Sequence, residues 1–256
     1  MKVLFYPDPP VQINGHSLSK TIMLFQMAGF QLTNDIHSDW DVGVYWNYND
    51  VSIPPVKLEY SGKKVLNIRC IDIRKSTVDR AFDEIFGYTS LANTDTFGYC
   101  VRKTERQSAH DGEIIRTPCK HEKGFVYQKL LDNRIAINRV CDIRIPVIVG
   151  EIPFIIRKSY TVEGTFENTL SKDRRYWVES VDENLTENEV IQIKRFCIRI
   201  GLDIGELDVI RDNSTGLIYI IDVNNIPGSN VFQFLDNGMA VAKELSNLLK
   251  SKLCKI

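Results

Sequence analysis

The sequence predicts an α+β protein in which a small α/β layer precedes a larger region of antiparallel strands. Up to about residue 90, short apolar strands alternate with amphipathic helices. From Tyr99 onwards, strands and hairpins follow one another with two helices among them. With 256 residues, 43% of them apolar, the chain is long enough for one large core or two modest ones. Antiparallel pairs in the second part argue against a doubly wound nucleotide-binding fold.

The first part contains three apolar strands and two amphipathic helices. The strands are predicted at KVLFY, DVGVYW and KKVLNIRC, and a Pro-rich link, SIPPVKLEY, precedes the third. The first helix, SLSKTIMLFQMAGF, is expected to be capped by Ser17 or Ser19 and to end at Gly29. The second, STVDRAFDEIFGY, is expected to end at Gly87. The polar connector TSLANTDT then marks a boundary near residue 90.

The second part begins with strands at YCVRK, EIIRTP and GFVYQKLLD. Strands are also predicted within DIRIPVIVGEIPFIIRKSY, followed by a long helix at TENEVIQIKRFCIRIG. A hairpin, ELDVIRDNSTGLIYIIDVNN, and an amphipathic helix from Met239 to about Lys252 come next.

Composition and charge narrow the range of partners and sites. The formal net charge is −1 and the pI is near 6.4, so the overall charge does not favour nucleic acid or an anionic membrane as a partner. The six cysteines are scattered without a CxxC pair, which favours reduced core thiols over a disulfide framework or a zinc site. The first apolar run stops at Pro7, too short for a secretory signal or a membrane span, so a cytoplasmic protein is expected.

The end of the last hairpin gathers oxygen donors. Because side chains alternate along a strand, Asp222 and Asn224 are predicted to point the same way. If the DNSTG turn centres near Ser214, Asp208 lies opposite Ile220 and faces the same side. Three hard oxygen donors on a rigid support suit Mg²⁺ or Mn²⁺ shared with substrate phosphates. The alternative is a set of solvated polar residues at a strand end, followed by an ordinary turn.

The stretch GLDIGELDVIRDNSTGLIYIIDVNNIPGS resembles the C-terminal motif of the ATP-grasp superfamily, and in particular of the RimK-like glutamate ligases. Upstream, GFVYQKLLDN is similar to the hinge strand of that family, DIRIPVIVGEIPFIIRK to its Asp-Ile-Arg strand, Val-Gly turn and return strand, and GTFENTL to its Asn-bearing segment. The resemblance covers roughly residues 99 to 230. It implies a pre-ATP-grasp domain at 1–90 and an ATP-grasp domain at 91–256, the latter divided into subdomains at about 91–132 and 133–256.

The resemblance implies ATP and Mg²⁺, or Mn²⁺, as cofactors. Asp208, Asp222 and Asn224 would hold the metal that bridges the ATP phosphates. The sequence departs from the family at Asp222, where Glu is usual, and the shorter side chain would bring the metal closer to the strand or make the ligation monodentate.

The hinge strand implies the adenine site. Gln128, Lys129 and Leu130 would contact the base through their backbone groups, and Asp132 or Asn133 would reach the ribose hydroxyls. Gln128 departs from the Glu that is more frequent in the family. Without the other motifs, the same segment is a buried strand that ends in a polar turn.

Cations for the phosphates are expected at the end of the YCVRK strand, before a loop of small residues. Strand parity does not fix which of Arg102 and Lys103 points inward, and the resemblance favours Lys103. A solvated charged hairpin is the alternative for this segment.

Arg144 lies on an Ile- and Val-rich strand, where a buried charge needs a partner. By resemblance, it holds the transferred phosphoryl group. Arg157 and Lys158 match a Lys-Arg pair of the family and would contact phosphate or the carboxylate substrate. Asn168 resembles the Asn of the metal-proximal loop. The Gly-Gly stretch usual after that Asn is replaced by LSKDRRYW, whose basic residues form either a rim for an anionic substrate or a solvated turn.

The implied function is an ATP-dependent carboxylate-amine ligase that forms an amide through an acyl-phosphate. Arg144 and Lys103 would be catalytic by positioning and by neutralising charge, so the absence of a nucleophile motif is consistent with this function. Small-molecule carboxylates and amines are the expected substrates, among them an amino acid, a peptide or a sugar-linked acid. The family also suggests a homodimer.

Two other functions remain open from the sequence. One is an ATP-grasp phosphotransferase, and the other is a nucleotide-binding partner protein without ligase activity. The roles of Asn67, Asp72 and Lys75 are also open, since residues near a helix start either orient a substrate or cap the helix.

Overall fold

The computed structural model describes residues 1–7, 20–47, 49–106, 109, 111–162, 173–227 and 231–255. In this part of the chain, helices and three separate sheets confirm the α+β prediction. The expected caps at Ser17 and Ser19 lie outside the described residues. None of the helices among the described residues has the length and apolar composition that a membrane crossing requires.

The N-terminal layer is a parallel sheet in the order β2-β1-β3-β4. Its elements are β1 (Lys2–Tyr6), α1 (Lys20–Met27), β2 (Gln31–Thr33), β3 (Val42–Tyr45), α2 (Val56–Glu59), β4 (Lys64–Leu66) and α3 (Lys75–Phe86). The sequence does not predict β2, a short edge strand, or α2. Helix α2 lies within the Pro-rich link, and Pro55 is its N-cap. Proline is tolerated there because an N–H group at the start of a helix has no partner within the helix.

A small antiparallel sheet follows, with β5 (Gly98–Thr104) between β6 (Glu113–Thr117) and β7 (Phe125–Lys129). The free edge of β7 is hydrogen-bonded to the connector before β5: the N–H of Lys129 donates to the carbonyl of Ser90 over 2.8 Å, and the N–H of Ala92 to that of Tyr127 over 2.9 Å. The connector therefore extends this sheet and does not serve as a free linker.

The third sheet is the largest and has the order β11-β10-β9-β12-β13, with β8 paired to β9. Its strands are β8 (Arg134–Ala136), β9 (Arg139–Ile148), β10 (Ile155–Thr161), β11 (Arg175–Glu179), β12 (Ile204–Arg211) and β13 (Ile218–Asn224), and its helices are α4 (Glu187–Ile200) and α5 (Gly238–Leu253). The sequence does not predict β11, whose basic residues suggested a loop. Its Tyr176 and Val178 are packed against the core, which outweighs the exposed charges at its start.

The described residues form three hydrophobic clusters, and the two larger ones pack the helices against the sheets. One joins the N-terminal layer to α5 and includes Val3, Phe25 and Leu249. The other lies beneath α3 and α4 and includes Phe82 and Phe196. Helix α3 follows the N-terminal strands in sequence, yet it packs against α4 and β13.

Asn67 fastens the N-terminal layer to the large sheet. Its side-chain oxygen accepts hydrogen bonds from the N–H groups of Asp203 and Ile204 at 2.8 and 3.0 Å, and its amide donates to the carbonyl of Ile204 at 2.8 Å. Asp72, by contrast, accepts from the backbone N–H of Arg74 and the hydroxyl of Thr77 at the start of α3. Both residues therefore have structural roles.

We expect Leu249→Ala to lower the free energy of unfolding by roughly 2–5 kcal/mol, because it leaves a cavity between α5 and the N-terminal layer. Urea denaturation followed by circular dichroism measures the change. Lys250→Ala, at the adjacent exposed position, is the control and is expected to stay within about 0.5 kcal/mol of wild type. Equal effects of the two substitutions would contradict the packing of α5 described above.

Candidate active site

A cavity of about 1000 Å³ lies between the small antiparallel sheet and the large sheet. Residues from β5, β6 and β7 line one side, and residues from β9, β10, β12 and β13 line the other. The start of α3 contributes Lys75. Because charged and apolar side chains from both sheets converge on this cavity, it is the candidate site.

A bulge in β13 turns the acidic end of that strand towards the cavity. Val209 pairs with Ile220, but Asp208 pairs with Asp222, so Ile221 is an extra residue in β13. Ile220 is in the core, whereas Ile221 and Asp222 both line the cavity. The predicted register, with Asp208 opposite Ile220, is therefore wrong, although Asp208, Asp222 and Asn224 do meet on one face.

Gly205 permits the close approach of β13 at this point. A Cβ atom at Gly205 would lie 2.5 Å from the backbone oxygen of Asn224 and 2.8 Å from a methyl group of Leu202. Any larger residue would therefore push away the strand end that carries Asn224. The glycine thus fixes Asn224 close to Asp208, to which the Asn224 amide donates a hydrogen bond over 3.3 Å.

Arg144 forms a two-pronged ion pair with Asp208. Its Nε and Nη2 atoms donate to Oδ1 and Oδ2 of Asp208 at 2.8 and 3.2 Å, across the pairing of β9 with β12. Burial disfavours the charge of Asp208, but the guanidinium outweighs this effect and holds the pKa of Asp208 below its ordinary value. Asp208, one of the predicted metal ligands, is therefore the partner that Arg144 requires on this strand.

The ion pair continues to the N-terminal layer through Glu206. Nη1 of Arg144 lies 3.5 Å from Oε2 of Glu206, and Oε1 of Glu206 accepts from Nζ of Lys20 at the start of α1. Both Lys20 and Glu206 are buried, and Lys20 lies over the ring of Phe232 at 4.8 Å. Burial lowers the pKa of Lys20 well below its ordinary value. This chain of charges crosses the interface between α1 and the large sheet.

Lys103 faces the cavity and Arg102 does not. Arg102 pairs with Glu113 and Glu122, while the stem of Lys103 rests against Gly112 and lines the cavity. Burial, aided by the charge of Lys75, lowers the pKa of Lys103. The orientation that the sequence left open is thus resolved towards Lys103.

Lys75 is a second lysine in the cavity. It is buried, and its Nζ donates to the carbonyl of Arg106. Burial raises the pKa of Asp222 to about 6, and the charge of Asp208 adds to the rise, while Lys75 and Lys103 oppose it. The two lysines therefore lie close to the predicted metal ligands.

The hinge segment runs along the cavity wall. The residues predicted for the base and the ribose all line the cavity: Gln128, Lys129, Leu130, Asp132 and Asn133. The side-chain oxygen of Gln128 is buried without a hydrogen-bond partner in the described part of the chain. Asp132 pairs with Arg134 at 2.8 Å, and the Asn133 amide donates to Asp142 at 2.8 Å.

Apolar side chains face each other across this part of the cavity. They are Val101, Ile114, Ile210 and Ile221. Because the first two come from the small sheet and the last two from the large one, a flat base has an apolar surface available on each side.

The structure corrects the expectation for Arg157. Its Nε donates to Glu179 over 2.9 Å, and it does not line the cavity, whereas its neighbour Lys158 does. The reason is the alternation of side chains along β10. Lys158 is buried 3.9 Å from Asp142, and burial lowers its pKa. Asn168 lies outside the described residues.

A magnesium ion fits the donors present. In the described residues, no group of three or more acidic, histidine or cysteine side chains could hold a metal. The expected set instead has two carboxylates, directly opposite one another, and one amide. Like charges in that position destabilise a sheet unless a cation lies between them. Mg²⁺ commonly takes one or two carboxylates and completes its shell with water and substrate phosphates, as this set requires.

Sequence reasoning did not single out Glu206 and Asp142, two acidic residues that line the cavity. Glu206 and Asp142 each precede a predicted site residue by two positions on a strand, so alternation alone points to them. Lys20, at the start of α1, was not predicted either, because its partner Glu206 lies 186 positions away. Lys75, for which the sequence left a substrate role and a helix-start role open, lines the cavity.

Comparisons with known proteins bear on the fold. No family model and no curated protein matches the sequence. Among solved structures, the ATP-grasp ligase PsnB with a minimal precursor has a TM-score of 0.57 and 10% identity, covering 96% of this chain and 98% of that one. The D-alanine–D-alanine ligase of Bacillus anthracis with ATP has a TM-score of 0.56 and 12% identity, with coverages of 100% and 97%. A RimK domain ATP-grasp protein of Sphaerobacter thermophilus has a TM-score of 0.56 and 10% identity, with coverages of 98% and 98%.

The chain therefore has the ATP-grasp fold. This confirms the resemblance noted in its motifs, over nearly the full length of the chain and of each neighbour. At 10–12% identity, the likeness establishes the architecture, while the chemistry must be argued from the side chains of the cavity.

We expect Asp222→Asn to stabilise the metal-free protein at pH 8 by roughly 1–3 kcal/mol. The folded pKa of Asp222 is about 6, above that of an unfolded chain, so the native state loses stability as pH rises from about 4 to about 7. The asparagine cannot ionise and so avoids this loss, and at pH 4 we expect a small difference in the free energy of unfolding between the variant and wild type. Urea denaturation in EDTA at pH 4 and pH 8 measures this difference. Asp83→Asn, at an exposed site, is the control, and a gain equal at the two pH values would contradict the linkage.

Proposed function

We propose that the protein is an ATP-dependent carboxylate-amine ligase. The observation that carries the proposal is the charge arrangement of the cavity, where two lysines for phosphate lie beside two opposed carboxylates for a metal. A nucleoside triphosphate with a divalent cation matches both sets, because its phosphates suit the lysines and the cation suits the carboxylates. The fold, which the ligase PsnB and the D-alanine–D-alanine ligase share, supports the same conclusion.

The nucleotide is expected to lie along the hinge. The base would fit between the apolar side chains of Val101 and Ile221, with backbone groups of Gln128, Lys129 and Leu130 at its edge. The ribose would meet Asp132 or Asn133. The phosphates would then reach Lys75 and Lys103, which lie near the carboxylate end of β13.

Asp208, Asp222 and Asn224 would hold Mg²⁺ or Mn²⁺. When bound, the metal would neutralise phosphate charge and orient the terminal phosphate. Arg144 would stabilise the charge that spreads over the oxygens of the transferring phosphoryl group, a task that suits a planar guanidinium. Lys103 and Lys75 would hold the other phosphate oxygens.

In the proposed reaction, a carboxylate oxygen of the first substrate attacks the terminal phosphorus, and ADP leaves. An amine then attacks the acyl carbon of the resulting acyl-phosphate, and inorganic phosphate leaves as the amide forms. The amine releases a proton in this step. No side chain forms a covalent bond, so the site acts by positioning and by neutralising charge.

The substrate end of the cavity contains Arg174, Tyr176 and Phe234. The rings of Tyr176 and Phe234 are stacked, with their centroids 5.5 Å apart. Nε of Arg174 is buried without a hydrogen-bond partner among the described residues. A guanidinium beside aromatic rings suits a carboxylate attached to an apolar group. We therefore propose an amino acid or peptide as the carboxylate substrate, in keeping with the precursor and amino-acid substrates in the names of the structural neighbours.

We also propose a cytoplasmic location, because all six cysteines are free and most are buried. A homodimer stays a prediction from the family. Sedimentation velocity would test it directly.

The proposed function is tested by ATP binding and then by turnover. We expect ATP with Mg²⁺ to raise the melting temperature more than either alone, because ligands that bind the native state stabilise it by mass action. Carboxylates and amines, including amino acids and short peptides, are then screened for ADP release that requires both substrates. ADP release with the amine omitted would favour a phosphotransferase, and binding without turnover would favour a nucleotide-binding partner protein.

We expect Lys103→Met to weaken ATP binding about tenfold or more, since it removes a cation from the phosphate end of the cavity. Isothermal titration calorimetry with a non-hydrolysable ATP analogue and Mg²⁺ measures the affinity. Arg102→Met, the adjacent residue that pairs outside the cavity, is the matched control and is expected to change affinity less than threefold. A larger loss for Arg102→Met would reverse the assignment.

A further inference from the structure

One oxygen of Glu206 has no hydrogen-bond partner in the described part of the chain. Glu206 is 1% exposed, and its Oε1 is held by Lys20, but its Oε2 accepts no hydrogen bond. Nη1 of Arg144 is nearby at 3.5 Å. A buried carboxylate oxygen left unsatisfied is costly, so its presence calls for a second state in which it is used.

The ion pair between Arg144 and Asp208 gives a reason for such a state. Both oxygens of Asp208 are engaged by the Arg144 guanidinium, and Oδ2 also accepts from Asn224. A divalent cation that approached Asp208 would meet the positive charge of Arg144 directly. The ion pair seen here and a metal-bound Asp208 therefore compete with each other.

We propose that Glu206 is a positioning residue which receives Arg144 when a divalent metal binds Asp208. This inference rests on the proposed function. The guanidinium would give up Asp208 and donate to Oε2 of Glu206, which is already within 3.5 Å. Lys20 keeps Glu206 in place from the opposite side, through Oε1. The Nε and Nη2 donors that leave Asp208 become available to the transferring phosphoryl group. Metal binding at Asp208 and the release of these Arg144 donors are therefore coupled.

The geometry favours this role over a purely structural pairing with Lys20. A pairing with Lys20 alone needs only one oxygen of Glu206 and no proximity to Arg144. Glu206 instead lies on the cavity face of β12, two residues before Asp208, so one strand carries both acceptors of Arg144. The exchange between them requires movement of a side chain and not of the backbone.

The test uses Mn²⁺ as the probe and electron paramagnetic resonance to measure free Mn²⁺. Three proteins are compared: wild type, Lys20→Met, and the double variant Lys20→Met/Glu206→Gln. The double variant removes both charges of a buried pair, a change that cores often tolerate. Lys20→Met keeps the Glu206 carboxylate, so it is the matched control. In Lys20→Met, Arg144 is the remaining charged partner of Glu206, so we expect this protein to bind Mn²⁺ at least as tightly as wild type and the double variant to bind about tenfold or more weakly.

A second measurement reports on Arg144 itself. In protein labelled with ¹⁵N-arginine, we expect addition of Mg²⁺ to shift the Arg144 Nε–H resonance in wild type and in Lys20→Met, and to shift it much less in the double variant. Glu206→Asp, which keeps the charge but withdraws both oxygens by one methylene, replaces the double variant if that protein does not fold, and weaker Mn²⁺ binding is again expected.

The outcomes separate the two proposals. Equal Mn²⁺ affinity and equal Arg144 shifts in the control and the double variant would overturn the role of Glu206 and leave the proposed function intact. Absence of Mn²⁺ binding by the wild-type protein would overturn the metal site of the proposed function, and the role of Glu206 with it.

Discussion

The candidate site depends on a buried chain of charges that runs from Lys20 through Glu206 and Arg144 to Asp208. Charges buried in this way are tolerated only when each has a partner. The partners come from α1, β9 and β12, which are far apart in sequence, so these elements must assemble together. The apolar core between the N-terminal layer, α5 and the large sheet brings Lys20 to Glu206 and so completes this chain of charges.

The alternation of side chains along the large sheet explains the position of the cavity. On one face of the large sheet, apolar side chains meet α3 and α4, and on the other, alternate positions of β9, β12 and β13 carry charges. Alternation along a strand makes one sheet serve as core and as site. The bulge at Ile221 is essential to this division, since without it Asp222 would share the face of Ile220.

The local parts of the structure could be predicted from the sequence, and the long-range pairings could not. Strand and helix patterns predicted β1, β9, α4 and the last hairpin, and the motif around Asp222 and Asn224 predicted the donors at its end. The register of that hairpin depends on a bulge that no local pattern signals. Likewise, the face of Arg157 is decided by pairing with β9 and β11, and Lys20 enters the site through a contact with a residue 186 positions away.

The first hydrophobic core has a consequence for how the protein is made. It contains Val3 and Phe5 from the first strand, together with Leu249 and Leu253 from the last helix. During synthesis, the apolar face formed by β1 and α1 therefore lacks the part of its native cover that α5 supplies until α5 has left the ribosome. Until α5 is made, this apolar surface stays exposed, whereas all four residues of the charge chain have already been synthesised.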